Sequence, residues 1–355
     1  MPLPFILGAA ALAAAGYGAK KAYDGYEDKT AAENITQDAK NKYDTAEKNF
    51  LKENDFLSND LEKLGELQLQ IGQDFAEFRK LSEELLAKIN QAHNSKDLNI
   101  HIPQHRLNEI KKFEFSTTTY LAQVAGGGAV GAAAAYATYG GVMALGAAST
   151  GTPIAALSGI AAKNAALAAL GGGSIASGGL GIAGGTAVLS GVVAAPILAI
   201  AGWAYASHAE KALSHACNIA DQVDAAIKKF DASIVHFKKI RTYVDNMHFE
   251  IKRIYLIFQQ YFAELKKCHE ILTFGGNIDL LEDKIIQAVE NGYMVAAILT
   301  DIITTPLFKT KTDENGQVLL DENQNPQIET DENDLQVLNT EGIDAALNKA
   351  QNDMK

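Results

Sequence analysis

Apolar residues recur at steps of three and four along two long stretches of the chain. In the first they are Ala46, Phe50, Leu57, Leu61, Leu64, Leu67, Ile71, Phe75, Phe78, Leu81, Leu85 and Ile89, with one hole near Glu53. This spacing lines one face of a helix. It predicts a helical arm from Ala31 to Asn94 that stops before Pro103, then a shorter helix from Gln104 to Phe115. Gly65 and Gly72 weaken the arm by about 1 kcal/mol each without breaking it. The second stretch runs from Trp203 to Phe274 without Gly or Pro. Its seam is Val223, Ile227, Phe230, Ile234, Phe237, Ile240, Val244, Met247, Ile251, Ile254, Phe258, Tyr261, Leu265, Cys268 and Leu272, with one irregular step at Ile240. A helix of roughly 70 residues is about 105 Å long, so an elongated structure is expected. Two arms of similar length, each with a seam and no other surface on which to bury it, are expected to pair antiparallel. Gly275-Gly276-Asn277 ends the second arm. A further helix, Asp279 to Thr304, is stopped by Thr305-Pro306 and carries one acid, Asp301, in its apolar second half.

Between the arms the pattern changes kind. Leu121 to Ala206 holds 19 of the 30 glycines, and between Glu114 and Glu210 the one formally charged side chain is Lys163. Thr186 to Ala206 is uncharged, with Trp203 and Tyr205 placed as an interfacial belt would be. Leu121 to Ala148 is a second uncharged run. A soluble core helix is rarely apolar for more than about 14 residues at a stretch, so these runs predict a membrane segment. Small residues fall four apart at Gly127 and Gly131, and again at Gly173, Ser177, Gly181 and Gly185. On a helix they share a face that lets backbones approach, and in lipid that packing drives association. The alternative is small-residue filler in a buried hairpin. Lys163 costs about 2.5–3.5 kcal/mol at the centre of a lone span, so it is expected to face water or a helix interface. If both ends of the stretch open onto paired rods, it crosses an even number of times.

The ends of the chain add less. Leu3 to Ala19 is apolar and is followed by Lys20-Lys21, which reads as a short membrane-associating helix. After Thr310 eleven acids face three lysines. Three related units lie there, DENGQVLL from Asp313, DENQNPQI from Asp321 and DENDLQVL from Asp331, and they read as a flexible acidic tail with a small hairpin at Asn315-Gly316. The chain thus divides into an apolar N-terminal helix (1–22), a helical arm (23–115), a Gly/Ala-rich hydrophobic membrane segment (116–206), a long returning helix with a final helix (207–305) and an acidic flexible tail (306–355). The fold class is all-α: an elongated bundle of long antiparallel coiled-coil-like helices with a membrane-inserting segment.

Charge and chemistry exclude more than they suggest. A formal net charge of −12 over 355 residues argues against nucleic acid as the main partner. Cys217 and Cys268 fall on one predicted helix, too far apart to pair. Gly126-x-Gly128-x-x-Gly131 and Gly179-x-Gly181-x-x-Gly184 match a dinucleotide fingerprint, but neither lies in a strand–turn–helix unit. Pro103 separates His101 from His105 and disfavours a zinc pair. Asp313, Asn315, Gly316 and Glu322 resemble a calcium loop whose first ligand position is occupied by Lys311. No nucleophile–base constellation stands out. No enzyme, no metal and no cofactor is expected.

The order of elements from Ala31 to Thr304 (long helix, apolar centre, returning helix, further helix) resembles the helical pore-forming toxins of the cytolysin A type and the haemolysin BL and non-haemolytic enterotoxin components. That resemblance implies an apolar segment sheltered in a soluble form and inserted during assembly. Here the segment is longer and richer in glycine. LGGGSIASGGLGIAGG, Leu170 to Gly185, is similar to the glycine-rich stretches of bacterial glycine-zipper membrane proteins, and more weakly to small interferon-inducible membrane proteins. The expected function is a self-associating helical protein that permeabilises a bilayer, as a toxin or defence effector. Its expected partners are the lipid bilayer and further copies or a related helical subunit. Its expected place is the membrane, reached from a soluble or secreted precursor or held permanently. Two other readings stand beside it: a membrane-anchored coiled-coil scaffold without a pore, and a wholly soluble bundle with an Ala/Gly-rich core.

Overall fold

The apolar periodicity of both arms is realised as continuous helix. The computed structural model describes residues 24–93, 102–124, 133, 136–137, 209–314, 319, 327–331 and 335–354. They form α1 (Asp24–His93), α2 (Gln104–Val124), α3 (Ala209–Thr273), α4 (Glu282–Ile303) and α5 (Thr340–Asp353), with a single 3-10 turn at Ile278–Leu280. The described residues are predominantly helical and contain no strand, only isolated bridges. None of the described helices is long and apolar enough to cross a membrane.

The chain divides into two compact units, and the division falls inside α1 and α3. Of the described residues, 24–56 and 209–238 belong to the first unit and the rest to the second. In the first unit, Ala32 packs on Ala216, with Ile35 and Leu213 beside them. Ala39 clusters with Ile219 and Val223. Further along, the Phe50 ring lies 5.0 Å from Phe230 and 5.4 Å from Phe237. Residue numbers on α1 and α3 therefore rise together.

The second unit repeats that sense. Asp60 accepts from Arg241 Nε at 2.8 Å, and Asp74 accepts from the Tyr255 hydroxyl. Phe75 and Phe78 pack edge-on against Phe258, at 4.9 and 5.1 Å between ring centroids. Glu84 meets His269 at 3.1 Å. In each unit α1 and α3 run parallel, which corrects the antiparallel pairing expected from two arms of equal length. α2 runs against α1, with Glu114 on Arg79 and Thr117 on Gly72.

Helix ends follow local chemistry. α3 stops at Thr273 because Gly275 takes φ +86°, a left-handed conformation that costs glycine nothing. The Gly276 N–H then donates to the Ile271 carbonyl at 2.9 Å. α2 overruns its expected end at Phe115 by nine residues. The run Ser116-Thr117-Thr118-Thr119 does not break it, because the Thr117 and Thr118 hydroxyls bond back to the carbonyls of Phe113 and Glu114 at 3.0 and 2.9 Å. The boundary placed at residue 116 therefore lies inside a helix.

The tail is a second correction. Instead of a flexible stretch, 340–353 is helix, capped by the Asn339 side chain on Gly342 N–H and anchored by buried Ile343 and Ala350. Ahead of it, backbone bonds close two three-membered rings. In one, Lys309 N–H donates to Val337, Val337 N–H to Glu329 and Glu329 N–H to Lys309, at 2.8, 2.9 and 2.9 Å. In the other, Lys311 donates to Gln327, Gln327 to Leu319 and Leu319 to Lys311, at 2.7, 2.9 and 2.8 Å. Leu319, Gln327 and Val337 are the seventh residues of the three related units. The repeat thus marks equivalent hydrogen-bonding stations.

The parallel register predicts which side chains a zero-length carbodiimide reagent joins. Glu77, 3.2 Å from Lys266, is expected to yield a Glu77–Lys266 cross-link by peptide mass mapping. Cross-links from Glu77 to the N-terminal third of α3 would contradict it.

Candidate functional site

The chemistry of the chain concentrates where α2 and the first described residues of the apolar stretch are seated on α1, within the second unit. The seat is made by absent side chains. Gly65 and Gly72, two turns apart, share one face of α1. A Cβ on Gly65 would collide with the backbone of Ala133, and one on Gly72 with the Thr117 side chain. Ala133, Tyr136 and Ala137 are buried there, at 6, 0 and 1% exposure. The Tyr136 hydroxyl meets the Thr117 hydroxyl at 2.8 Å. Gln68, seven residues from both Leu61 and Phe75 of the seam, is fully buried, and neither its amide nitrogen nor its amide oxygen has a hydrogen-bond partner. A third glycine works the same way: Gly292 of α4 leaves room for the Phe78 ring, where Tyr293 also packs at 5.2 Å between centroids.

One helical turn ahead of Thr117 lies a charged cluster. Buried Glu114 accepts from Arg79 Nε at 2.8 Å, and Glu83 shares the same guanidinium at 3.2 Å. The pair pulls in opposite directions at its two ends. Arg79, a third exposed, is held charged by Glu114. Desolvation raises the Glu114 carboxyl more than the Arg79 hydrogen bond lowers it, so its pKa sits above the ordinary glutamate value. Glu83 adds repulsion from α1, and Lys111 offsets part of it from α2. Tyr293 faces the cluster from α4, its phenol pushed up by burial and by Glu114 and Glu83. Further along α2, Asp301 of α4 binds Arg106 and accepts from Lys349 of α5 at 2.7 Å. Burial raises the Asp301 carboxyl, but these two cations outweigh it and hold it below the ordinary aspartate range. Asp301, the lone acid of an apolar helix half, is thus the tie between α2, α4 and α5.

The residues singled out from the sequence, Gly127, Gly131, Gly173, Ser177, Gly181, Gly185, Lys163, Trp203 and Tyr205, lie outside the described residues, as does the apolar N-terminal stretch. Thr117 lies against Gly72 in the second unit and Ala216 against Ala32 in the first. The crossings expected of the apolar stretch fall on residues outside the described ones. Among the described residues no group of three or more His, Cys, Asp or Glu side chains is placed to hold a metal ion, and both cysteines are free thiols. No protein-family model, no curated protein and no solved structure matches the chain. The geometry is therefore the sole guide to function.

The seat was missed in the sequence because its residues carry no apolar signal. Gly65 and Gly72 read as weak points of a helix. The available clue was their spacing, which repeats the heptad beside the main seam.

Glu114 gives the cluster a pH dependence of definite sign. Because its pKa is raised in the fold, its contribution is most favourable at low pH and is lost as pH rises through the folded value. Asp301 acts oppositely, but only below the ordinary aspartate range. As pH falls from neutrality toward the ordinary glutamate value, the stability of the wild type relative to Glu114→Gln is expected to rise, read from urea midpoints. A difference that stayed constant or fell over that window would contradict the assignment.

Proposed function

We propose that this protein inserts its Gly/Ala-rich stretch into a lipid bilayer, self-associates there and permeabilises the membrane, with the helices as the body that carries the stretch. The observation that carries the reading is the pairing of an 86-residue stretch holding a single charge with a helical body on which Ala133, Tyr136 and Ala137 of that stretch are packed. Burying so much apolar surface in water needs a partner surface, and the body offers one to the beginning of the stretch. In lipid the same residues need none, and the four-residue spacing of Gly173, Ser177, Gly181 and Gly185 favours close helix association. Lys163 then faces water or a helix interface, and Trp203 and Tyr205 lie at the headgroups. The seams of α1 and α3 supply a coiled-coil-like body whose assembly with further copies brings the stretches together. The resemblance in element order to the cytolysin A type supports the same reading, and no catalytic step is part of it.

Purified protein is expected to float with liposomes and to release an encapsulated dye. Gly181→Leu combined with Gly185→Leu is expected to abolish most of the leakage while helical circular dichroism and flotation persist. Flotation without leakage in the wild type would favour the membrane-anchored scaffold. A wild type that neither floats nor causes leakage would leave a soluble helical bundle.

A further inference from the structure

We infer that the outer face of α3 around Phe249 is a docking surface for a second copy of this chain, laid antiparallel across a two-fold axis at Phe249. The purpose of the contact rests on the self-association proposed above; the surface itself rests on the geometry.

The face of α3 opposite its buried seam carries a line of its own. Thr242, Phe249, Leu256 and Ala263 recur every seven residues, all exposed and all within the second unit. Phe249 is 69% and Leu256 54% exposed. Single exposed apolar side chains are ordinary, but an aromatic ring and a leucine two turns apart on one helix line form a stripe.

The charges beside the stripe say what covers it. Along one edge lie Asp245 and Lys252. Along the other lie Asn246 and Arg253, the latter fixed by Glu250 through Nε and Nη2 at 3.1 and 2.6 Å. In an antiparallel pair related by a two-fold axis, equivalent edges meet; in a parallel pair, opposite edges meet. With the axis at Phe249, Asp245 lies four residues before it and Lys252 three after it. Asp245 of each copy then faces Lys252 of the other, and the pair occurs twice. On the second edge Asn246 meets Arg253 in the same way. Phe249 packs on its own counterpart, and Leu256 on Thr242. Other arrangements oppose like charges, which is destabilising. Parallel pairing in register sets Arg253 on Lys252 and Lys267 on Lys266. Sliding the antiparallel pair until Phe249 meets Leu256 sets Lys252 on Lys252 and Arg253 on Arg253. Sliding it until Phe249 meets Thr242 sets Asp245 on Asp245 and Lys239 on Arg253. Centring on Leu256 takes Lys252 away from Asp245 and leaves Phe249 against the small Ala263. A contact one side chain wide falls short of the about 1,200–2,000 Å² buried by a stable interface. It is therefore weak in dilute solution and gains where copies are concentrated, as on a bilayer.

The test mixes ¹⁵N-labelled and unlabelled full chain at high protein concentration without lipid and treats the mixture with a zero-length carbodiimide. A mixed-isotope Asp245–Lys252 link is expected. Within one chain these residues are about 10.5 Å apart along the helix, beyond the reach of such a link. By sedimentation, Asp245→Lys and Lys252→Asp are each expected to lose the dimer, and the double variant to regain it. Phe249→Glu is expected to lose it with helical circular dichroism unchanged, because the side chain is exposed. A wild type without the mixed-isotope link, a link from Asp245 to Lys266 in its place, a double variant that stays monomeric, or a Phe249→Glu variant that dimerises like the wild type would overturn the inference. Dye leakage is measured on the same proteins. A dimer of the expected register with no leakage from any variant, wild type included, would keep the contact and remove the membrane reading. Leakage from a wild type that shows no link would remove the contact and keep the membrane reading.

Discussion

In the second unit, α1 has to bury two faces at once. One face carries the regular seam that meets α3, through Phe75, Phe78 and the Asp74–Tyr255 bond. The other carries α2 and the start of the apolar stretch. A single amphipathic stripe satisfies only one of these, and a second apolar stripe would leave a helix that is greasy all round. The chain instead makes the second face from glycine and hydroxyls, so that close backbone approach replaces side-chain volume. The parallel course of α3, the overrun of α2 and the position of Tyr136 are all compatible with that double burial.

Charge then fixes what shape leaves loose. Arg79 with Glu114 and Glu83 pins α2 to α1, and Asp301 with Arg106 and Lys349 pins α4 to α2 and α5. Glu114 and Asp301 are the more buried members of these ties, so removing their cations leaves a carboxylate short of its partner. They act in opposite pH directions, because burial dominates at Glu114 and cations dominate at Asp301. The Glu114 cluster therefore responds to pH above the ordinary glutamate value, and the Asp301 tie only below the ordinary aspartate range.

Much of the helical content was legible from the residues, since periodicity sustained over ten or more turns leaves little ambiguity about helix. The stop at Gly275 was legible too, because positive φ and glycine go together. Direction was not: a seam says that a helix needs a partner and is silent on which way the partner runs. The end of α2 was obscured by a Ser/Thr cluster that reads as a terminator yet bonds back into the helix. The tail looked disordered because its acids and asparagines dominate composition, whereas its order comes from backbone bonds at every repeat's seventh residue. Gln68 was invisible because a buried glutamine has no pattern of its own.

The central claim, that the Gly/Ala stretch finds its low-energy environment among acyl chains, has a natural reporter, because Trp203 is the one tryptophan of the chain. Its fluorescence, measured while unilamellar vesicles are added to the purified protein, is the most direct test. The account predicts a shift of the emission to shorter wavelength and quenching by lipids brominated just below the headgroups. Emission that keeps its wavelength and ignores the brominated lipid, at vesicle concentrations where lipid is in large excess, would contradict it.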